Sequence, residues 1–191
     1  VCRAFARYVR GSSERRMAQL DPERAGVHAA AARPDLQEAM VEYEDLADTF
    51  GDDRYAALAN TCRGALIEVD AMIGHLPGIE AVERLQVALD RVIDVASHPR
   101  GDWLESWGWW CIYGCNATLR HMPAEHVSMS MAIFTNKALE IGMRGLSSPD
   151  VVAHAMKTLK GKAKVKKATY DPAKIGVEVR NGNGAPAAAA D

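Results

Sequence analysis

Four side chains that can ligate a metal fall within sixteen residues: Cys111-x3-Cys115-x5-His121-x4-His126. Zinc takes four nitrogen or sulfur ligands in a tetrahedron, usually as two pairs brought together across a turn. The cysteines are spaced i, i+4, on one helix face, and the histidines flank Met122-Pro123. A closed site therefore requires the helix to end near Cys115. The plainer reading is two small core cysteines and two turn histidines, and zinc is the one cofactor the chain suggests. A small helical enzyme, or an enzyme accessory subunit with a metal near these four residues, is the alternative function this cluster supports.

The remaining searches for reactive groups exclude more than they find. There is no Gly-x-Ser-x-Gly, no phosphate-binding Walker loop and no Gly-x-Gly-x-x-Gly. Glu38, Glu42 and Asp45 fall on neighbouring turns, with Glu68 on the next predicted helix. Carboxylate-bridged di-iron bundles also need Glu-x-x-His, which the chain lacks. These acids are expected to form a solvated face opposite the Tyr43/Leu46/Phe50 stripe. His154, beside Val151, Val152 and Ala155, reads as a boundary histidine rather than a base. A catalytic role is thus not favoured, and no catalytic residue is assigned.

The densest aromatic group is Trp103, Trp107, Trp109, Trp110 and Tyr113. Trp103, Trp107 and Trp110 share a helix face and are candidates for a core or a subunit interface, where tryptophan is enriched. The all-round apolar character marks this as the central helix. Stacking on nucleic-acid bases is the competing use of such a cluster.

Charge is distributed unevenly. All eight lysines lie at or after position 137, and the first 136 residues use only arginine as a base. Residues 1–24 carry six arginines against three acids. Residues 35–94 carry fourteen acids against four arginines, a net of −10, and residues 137–174 carry nine bases against three acids, a net of +6. Lys157, Lys160, Lys162, Lys164, Lys166, Lys167 and Lys174 form a basic arm suited to the phosphate backbone of DNA or RNA, or to an acidic patch on another copy. The segment 147–170 also has the outline of a helix-turn-helix reader, but Pro172 and the β-branched Val165 and Thr169 weigh against a second helix.

The elements that must position these groups are helices. Asp21-Pro22-Glu23 and Arg33-Pro34-Asp35 read as helix boundaries with caps. Leu36, Met40, Tyr43, Leu46 and Phe50 recur on one face, as do Tyr55, Leu58, Cys62, Leu66, Val69 and Met72. Gly51 and Gly74 close those two helices. Val82, Leu85, Leu89, Val92 and Ala96 form a short heptad seam. The Trp-rich helix runs to about Arg120, another follows Pro123 to Gly145, and Ser148-Pro149-Asp150 opens a last one. Beyond Gly161, Lys164–Tyr170 and Ile175–Arg180 alternate with period two around a turn at Asp171-Pro172. Residues 181–191 are a low-complexity tail.

The expectation is an all-α bundle of seven or eight short helices over 1–161, a basic β-hairpin or extended arm over 162–180, and the tail. A hydrophobic content of 48% with 25% charged residues is that of a globular protein. No apolar run approaches the roughly 20 residues of a membrane span. The basic N-terminal decapeptide lacks the apolar core of a secretory signal. Four cysteines in a chain this long do not form a disulfide framework, so a cytoplasmic setting is expected. Alanine-rich composition, arginine over lysine and an initial Val fit a bacterial or phage gene. The function expected is a non-catalytic subunit of a larger nucleoprotein assembly, with its own copies, other subunits and nucleic acid as partners. Small helical subunits of RNA-guided effector complexes and structural components of phage heads or packaging machines have this build, an analogy of architecture with no motif behind it.

Overall fold

The computed structural model of the chain describes residues 1–95 and 101–144. Among the described residues there are six α-helices and no strand: α1 (Cys2–Leu20), α2 (Ala25–Phe50), α3 (Asp53–Met72), α4 (Gly78–Val95), α5 (Gly101–His121) and α6 (Ala124–Arg144). None is long and apolar enough to cross a membrane. The expected last helix with His154, the arm over 162–180 with its lysines and the tail over 181–191 lie outside the described residues.

The Arg33-Pro34-Asp35 boundary is not one: α2 runs through Pro34 without a break. An interior proline forfeits a backbone hydrogen bond and costs about 3 kcal/mol. Here tertiary contacts on both sides of it outweigh that cost. Ala25, Ala29, Ala32, Leu36, Ala39 and Tyr43 form one continuous buried stripe across the proline. Arg33 Nε donates to Asp70 of α3 at 2.7 Å, and Arg10 Nε of α1 donates to Asp35 at 2.6 Å. Asp35 is thus an ion-pair partner rather than a cap. Asp21 likewise does not cap α2 directly. It ends α1, and its Oδ1 accepts from the Arg24 amide at 3.3 Å, one turn early. The merging of two expected helices into α2 is one reason the described residues hold six.

Other boundaries follow the local chemistry. Gly51 takes a left-handed φ of 61° and its amide donates to the Ala47 carbonyl at 2.8 Å. Asp52 then caps α3, accepting from the Arg54 amide at 3.0 Å. Gly74, with φ 77°, closes the turn after α3.

α1 and α2 form an antiparallel hairpin, with residue numbers rising on one helix as they fall on the other: Arg3–Glu42, Arg7–Glu38, Arg10–Asp35 and Glu14–His28. Exposed pairs of this kind contribute at most about 1 kcal/mol each. The seam beneath them sets the spacing. Ala4, Gly11 and Ala18 of α1 meet the alanine stripe of α2 so closely that a Cβ on Gly11 would lie 2.8 Å from Leu36 Cγ. Arg63–Glu44 and Arg33–Asp70 fix α3 antiparallel to α2 in the same way.

α3 is the most deeply buried helix. Ala57, Asn60, Thr61, Gly64, Ala65, Glu68 and Ala71 are all buried, and α1, α2, α4 and α5 pack around it. The Trp-rich α5, expected at the centre, packs on α3, α4 and α6 but leaves Ile112 and Leu119 exposed. Small residues allow the neighbours of α3 to approach its backbone. The principal core adds Val82, Leu85 and Leu89 of α4, Trp110 and Tyr113 of α5, and Phe134 and Ile141 of α6.

Trp110 shows what that small-residue surface accomplishes. Its indole lies on Gly64, where a Cβ would meet the ring at 2.6–2.8 Å. Its Nε1 donates to the Asn60 carbonyl at 2.8 Å, one turn earlier on α3. Gly64→Ala is expected to cost about 1–3 kcal/mol by overpacking, partly offset by about 1 kcal/mol of helix propensity. The midpoint of thermal unfolding monitored by circular dichroism should fall, by up to roughly 8 °C. Gly26→Ala, at a position with open space, should stay within about 2 °C of the parent or exceed it.

Candidate functional site

The residues with chemical potential occupy three places: a buried polar network between α1, α3 and α5, a cleft beside it, and the α5–α6 corner that carries the Cys/His series.

The network centres on Glu68, which has no exposed surface. Its position, on a stripe with Thr61, Gly64 and Ala71, points it inward, against the expectation of a solvated acid. Arg15 Nη1 donates to Oε2 at 2.9 Å and Gln19 Nε2 donates to Oε1 at 2.7 Å, both from α1. The Arg15 guanidinium also lies over the Tyr113 ring, 4.7 Å from its centroid. Asn116 faces the same carboxylate closely enough to favour its charge but without full hydrogen-bond geometry, so its Nδ2 is unsatisfied among the described residues. Burial raises the Glu68 carboxyl above its ordinary value, and Arg15, Gln19 and Asn116 oppose the shift. Sequence inspection missed this pair. The available signal was the spacing of Arg15, which falls in register with the buried Ala4, Gly11 and Ala18.

The other three acids behave differently. Glu38 and Glu42 pair with Arg7 and Arg3 of α1 across the helix hairpin. Asp45 takes no part in the described network. Arg10 holds the Asp35 carboxyl below the usual carboxylate range.

The cleft, about 280 Å³, opens between α1, α3 and α5 and is walled by Tyr8, Tyr55 and Trp109, with Arg54, Asp102 and Glu105 at its polar side. Its hydroxyls serve the fold: Ser106 Oγ accepts from Asn60 Nδ2 at 2.8 Å, and Thr61 Oγ1 donates to the Ala57 carbonyl at 3.0 Å. Arg54 is engaged by Asp52, with Nε 3.0 Å from Oδ2. The cleft thus contains carboxylates, aromatic faces and an occupied guanidinium, without a nucleophile bonded to a base.

α5 continues unbroken through Cys111 and Cys115 to His121, so the helix end that a zinc site at these residues requires is not present. Cys111 is buried and Cys115 half-buried. Burial pushes the Cys111 thiol up to about 12, with Cys115 adding to the shift, and burial raises Cys115 as well. Both thiols stay protonated near neutrality, which disfavours thiolate chemistry. His121 packs its ring against Gly78 at the start of α4, and burial, with help from Arg120, lowers its pKa and keeps it neutral. His126 sits in the first turn of α6, its amide donating to the Pro123 carbonyl at 2.9 Å. Among the described residues no group of three or more His, Cys, Asp or Glu is arranged to hold a metal ion.

Of the three tryptophans on the shared face, Trp110 takes a place in the chain's own core. Trp103 and Trp107 stack on one another (6.3 Å between centroids) and are half-buried, with Trp107 5.1 Å from Trp110. Trp109 and Tyr113 stack on the second face, as the spacing implies. Arg120 reaches back to α1, donating to the Ala18 carbonyl at 2.9 Å and satisfying a terminal helix acceptor.

No family model matches the chain, and no curated protein or solved structure is significantly similar to it.

The Arg15–Glu68 pair gives a stability test. Removing one partner leaves a buried charge, so Arg15→Ala should cost about 3–5 kcal/mol. The double substitution Arg15→Met/Glu68→Leu should cost clearly less than either single change, because no charge is then stranded. The pH dependence follows from the raised carboxyl. The unfolded chain ionises Glu68 near 4.5 while the folded chain still holds the proton. The folded state therefore binds more protons as pH rises from that value, and its stability falls across the window. Glu68→Gln should show a shallower decline than the parent when urea unfolding is followed upward from pH 4.5.

Proposed function

We propose that this protein is a non-catalytic helical subunit of a larger assembly, whose compact acidic body carries a basic C-terminal segment that engages a polyanion. The supporting observation is where the two basic ends of the sequence go. At the N-terminal end, Arg3, Arg7, Arg10 and Arg15 are all engaged by carboxylates of α2 and α3. Four of the six arginines at that end are thus neutralised within the fold. Residues 1–144 carry 15 bases against 21 acids, a net of −6, whereas residues 145–191 carry eight against four, a net of +4. Net positive charge is therefore concentrated in the last quarter of the chain.

Lysine suits this role as a flexible point charge, and seven of the eight lysines are in that segment. A nucleic-acid backbone is the polyanion of choice, and contact through phosphates carries no sequence preference. The cytoplasmic nucleoprotein setting is part of this proposal.

The test is fluorescence anisotropy with labelled single- and double-stranded oligonucleotides across a salt series. Binding should weaken linearly in log–log form, with similar affinity for unrelated sequences. Replacing Lys162, Lys164, Lys166 and Lys167 together by Ala should flatten the slope by up to about 3–4 and weaken all sequences alike. An unchanged slope, or no binding at low salt, overturns the proposal.

A further inference from the structure

We propose that the cleft between α1, α3 and α5 binds a small organic cation of the quaternary-ammonium class. Nothing in this site depends on the engagement of a polyanion by other parts of the chain.

Three helices each supply one aromatic wall: Tyr8 of α1, Tyr55 of α3 and Trp109 of α5. Among the described residues no two of these three rings contact one another. Each is held instead by a buried tyrosine that does not line the cleft. Tyr43 meets Tyr8 edge-on and stacks on Tyr55, both at 6.5 Å between centroids. Tyr113 stacks on Trp109 at 6.1 Å. Tyr43 and Tyr113 are each only 1% exposed. The walls are therefore fixed while the space between them stays open, so a ligand need not order them on binding. Tyr113 covers one face of the Trp109 indole, and no other ring contacts that indole among the described residues. An indole face is the strongest aromatic partner for a cation.

The charge of the cleft has the matching sign. Asp102 and Glu105 line it, and neither is ion-paired among the described residues. Burial raises the pKa of the Tyr8 hydroxyl and Glu105 adds to that shift, which puts this carboxylate within electrostatic reach of the opposite wall. Arg54, the one base of the lining, is neutralised by Asp52. With Asp52 counted, three acids stand against one base, a net of −2, which attracts cations and repels phosphates. The floor narrows the choice of cation. It is formed by the buried Ala57, Thr61 and Ser106, and both hydroxyls are already bonded within the fold. A primary ammonium would bring three N–H donors and a tight hydration shell to a site with few free acceptors. A quaternary ammonium carries no N–H and presents methyl groups to Trp109 and Leu58. The same reasoning disfavours the chain's own lysines as occupants. At about 280 Å³, just below the roughly 300 Å³ at which common ligand pockets begin, the cleft suits a cation of the size of choline rather than a nucleotide.

The experiment is an NMR titration of the full chain, following the tryptophan indole N–H resonances, with Trp109 assigned by its loss in Trp109→Phe. The probes are choline, its uncharged isostere with carbon in place of nitrogen, and phosphocholine. Choline should move the Trp109 resonance saturably and bind about tenfold tighter than the isostere. Phosphocholine should bind more weakly than choline, because its phosphate meets Asp102 and Glu105. The double substitution Asp102→Asn/Glu105→Gln, at two exposed positions where circular dichroism should show the fold retained, should weaken choline severalfold and leave the isostere unchanged. Trp109→Leu should remove the preference for the cation, and Trp109→Phe should keep part of it. A Trp109 resonance indifferent to choline, as it would be with a base of the chain's own seated in the cleft, overturns the proposal. So does equal affinity for choline and its isostere, phosphocholine binding as tightly as choline, or a double variant with unchanged choline affinity. The two proposals fail separately. The four-lysine variant should leave choline binding unchanged, and Trp109→Phe should leave the salt slope of oligonucleotide binding unchanged.

Discussion

The arrangement of the body depends on how closely its helices can approach the backbone of α3. That closeness is set by side chains too small to keep neighbours away: Ala57, Thr61, Gly64 and Ala71 on one line, and Ala59, Cys62 and Ala65 beside it. Dispersion attraction falls off within an ångström of contact, so a surface of this kind gains most when large partners fit into its notches. Trp110 on Gly64 is such a fit, and Leu36 against Gly11 is its counterpart between α2 and α1. The same crowding places Glu68, on the small-residue line, beyond the reach of water.

Burying Glu68 creates a demand that only specific partners meet. A desolvated carboxylate is costly unless paired and hydrogen-bonded. Arg15 and Gln19 of α1 supply the pairing, and Tyr113 of α5 supplies an aromatic face for the guanidinium. The network therefore ties three helices at one point. Buried ion pairs of this type seldom add net stability over apolar packing. Their stronger effect is on register. A shift of α1 by one turn would strand both charges, so the pair selects one alignment of a seam whose alanines alone would tolerate several.

The exposed charges act at longer range. Arginines of α1 and acids of α2 form a ladder that orients the first hairpin while contributing little energy per rung. This closure changes the meaning of the sequence's charge pattern. A chain that reads as basic at both ends has most of the arginines at its N-terminal end paired within the fold.

The sequence by itself determined the helical class, most helix ends and the apolar stripes, because these rest on local properties. Gly51 and Gly74 at positive φ, Pro123 as a break and the periodicity of Tyr55, Leu58, Cys62, Leu66 and Val69 all act within a few residues of themselves. Tertiary structure decided the rest. Pro34 reads as a terminus locally, yet Asp70 and Arg10, far away in sequence, hold the residues on either side of it within one helix. Glu68 reads as a surface acid because its ionic partner is 53 positions distant. The Cys111, Cys115, His121 and His126 series reads as a ligand set by spacing, but the continuity of α5 and the seat of His121 on Gly78 separate its members. In each case the free energy comes from contacts between segments remote in the chain, and local propensity carries no information about which segments will meet.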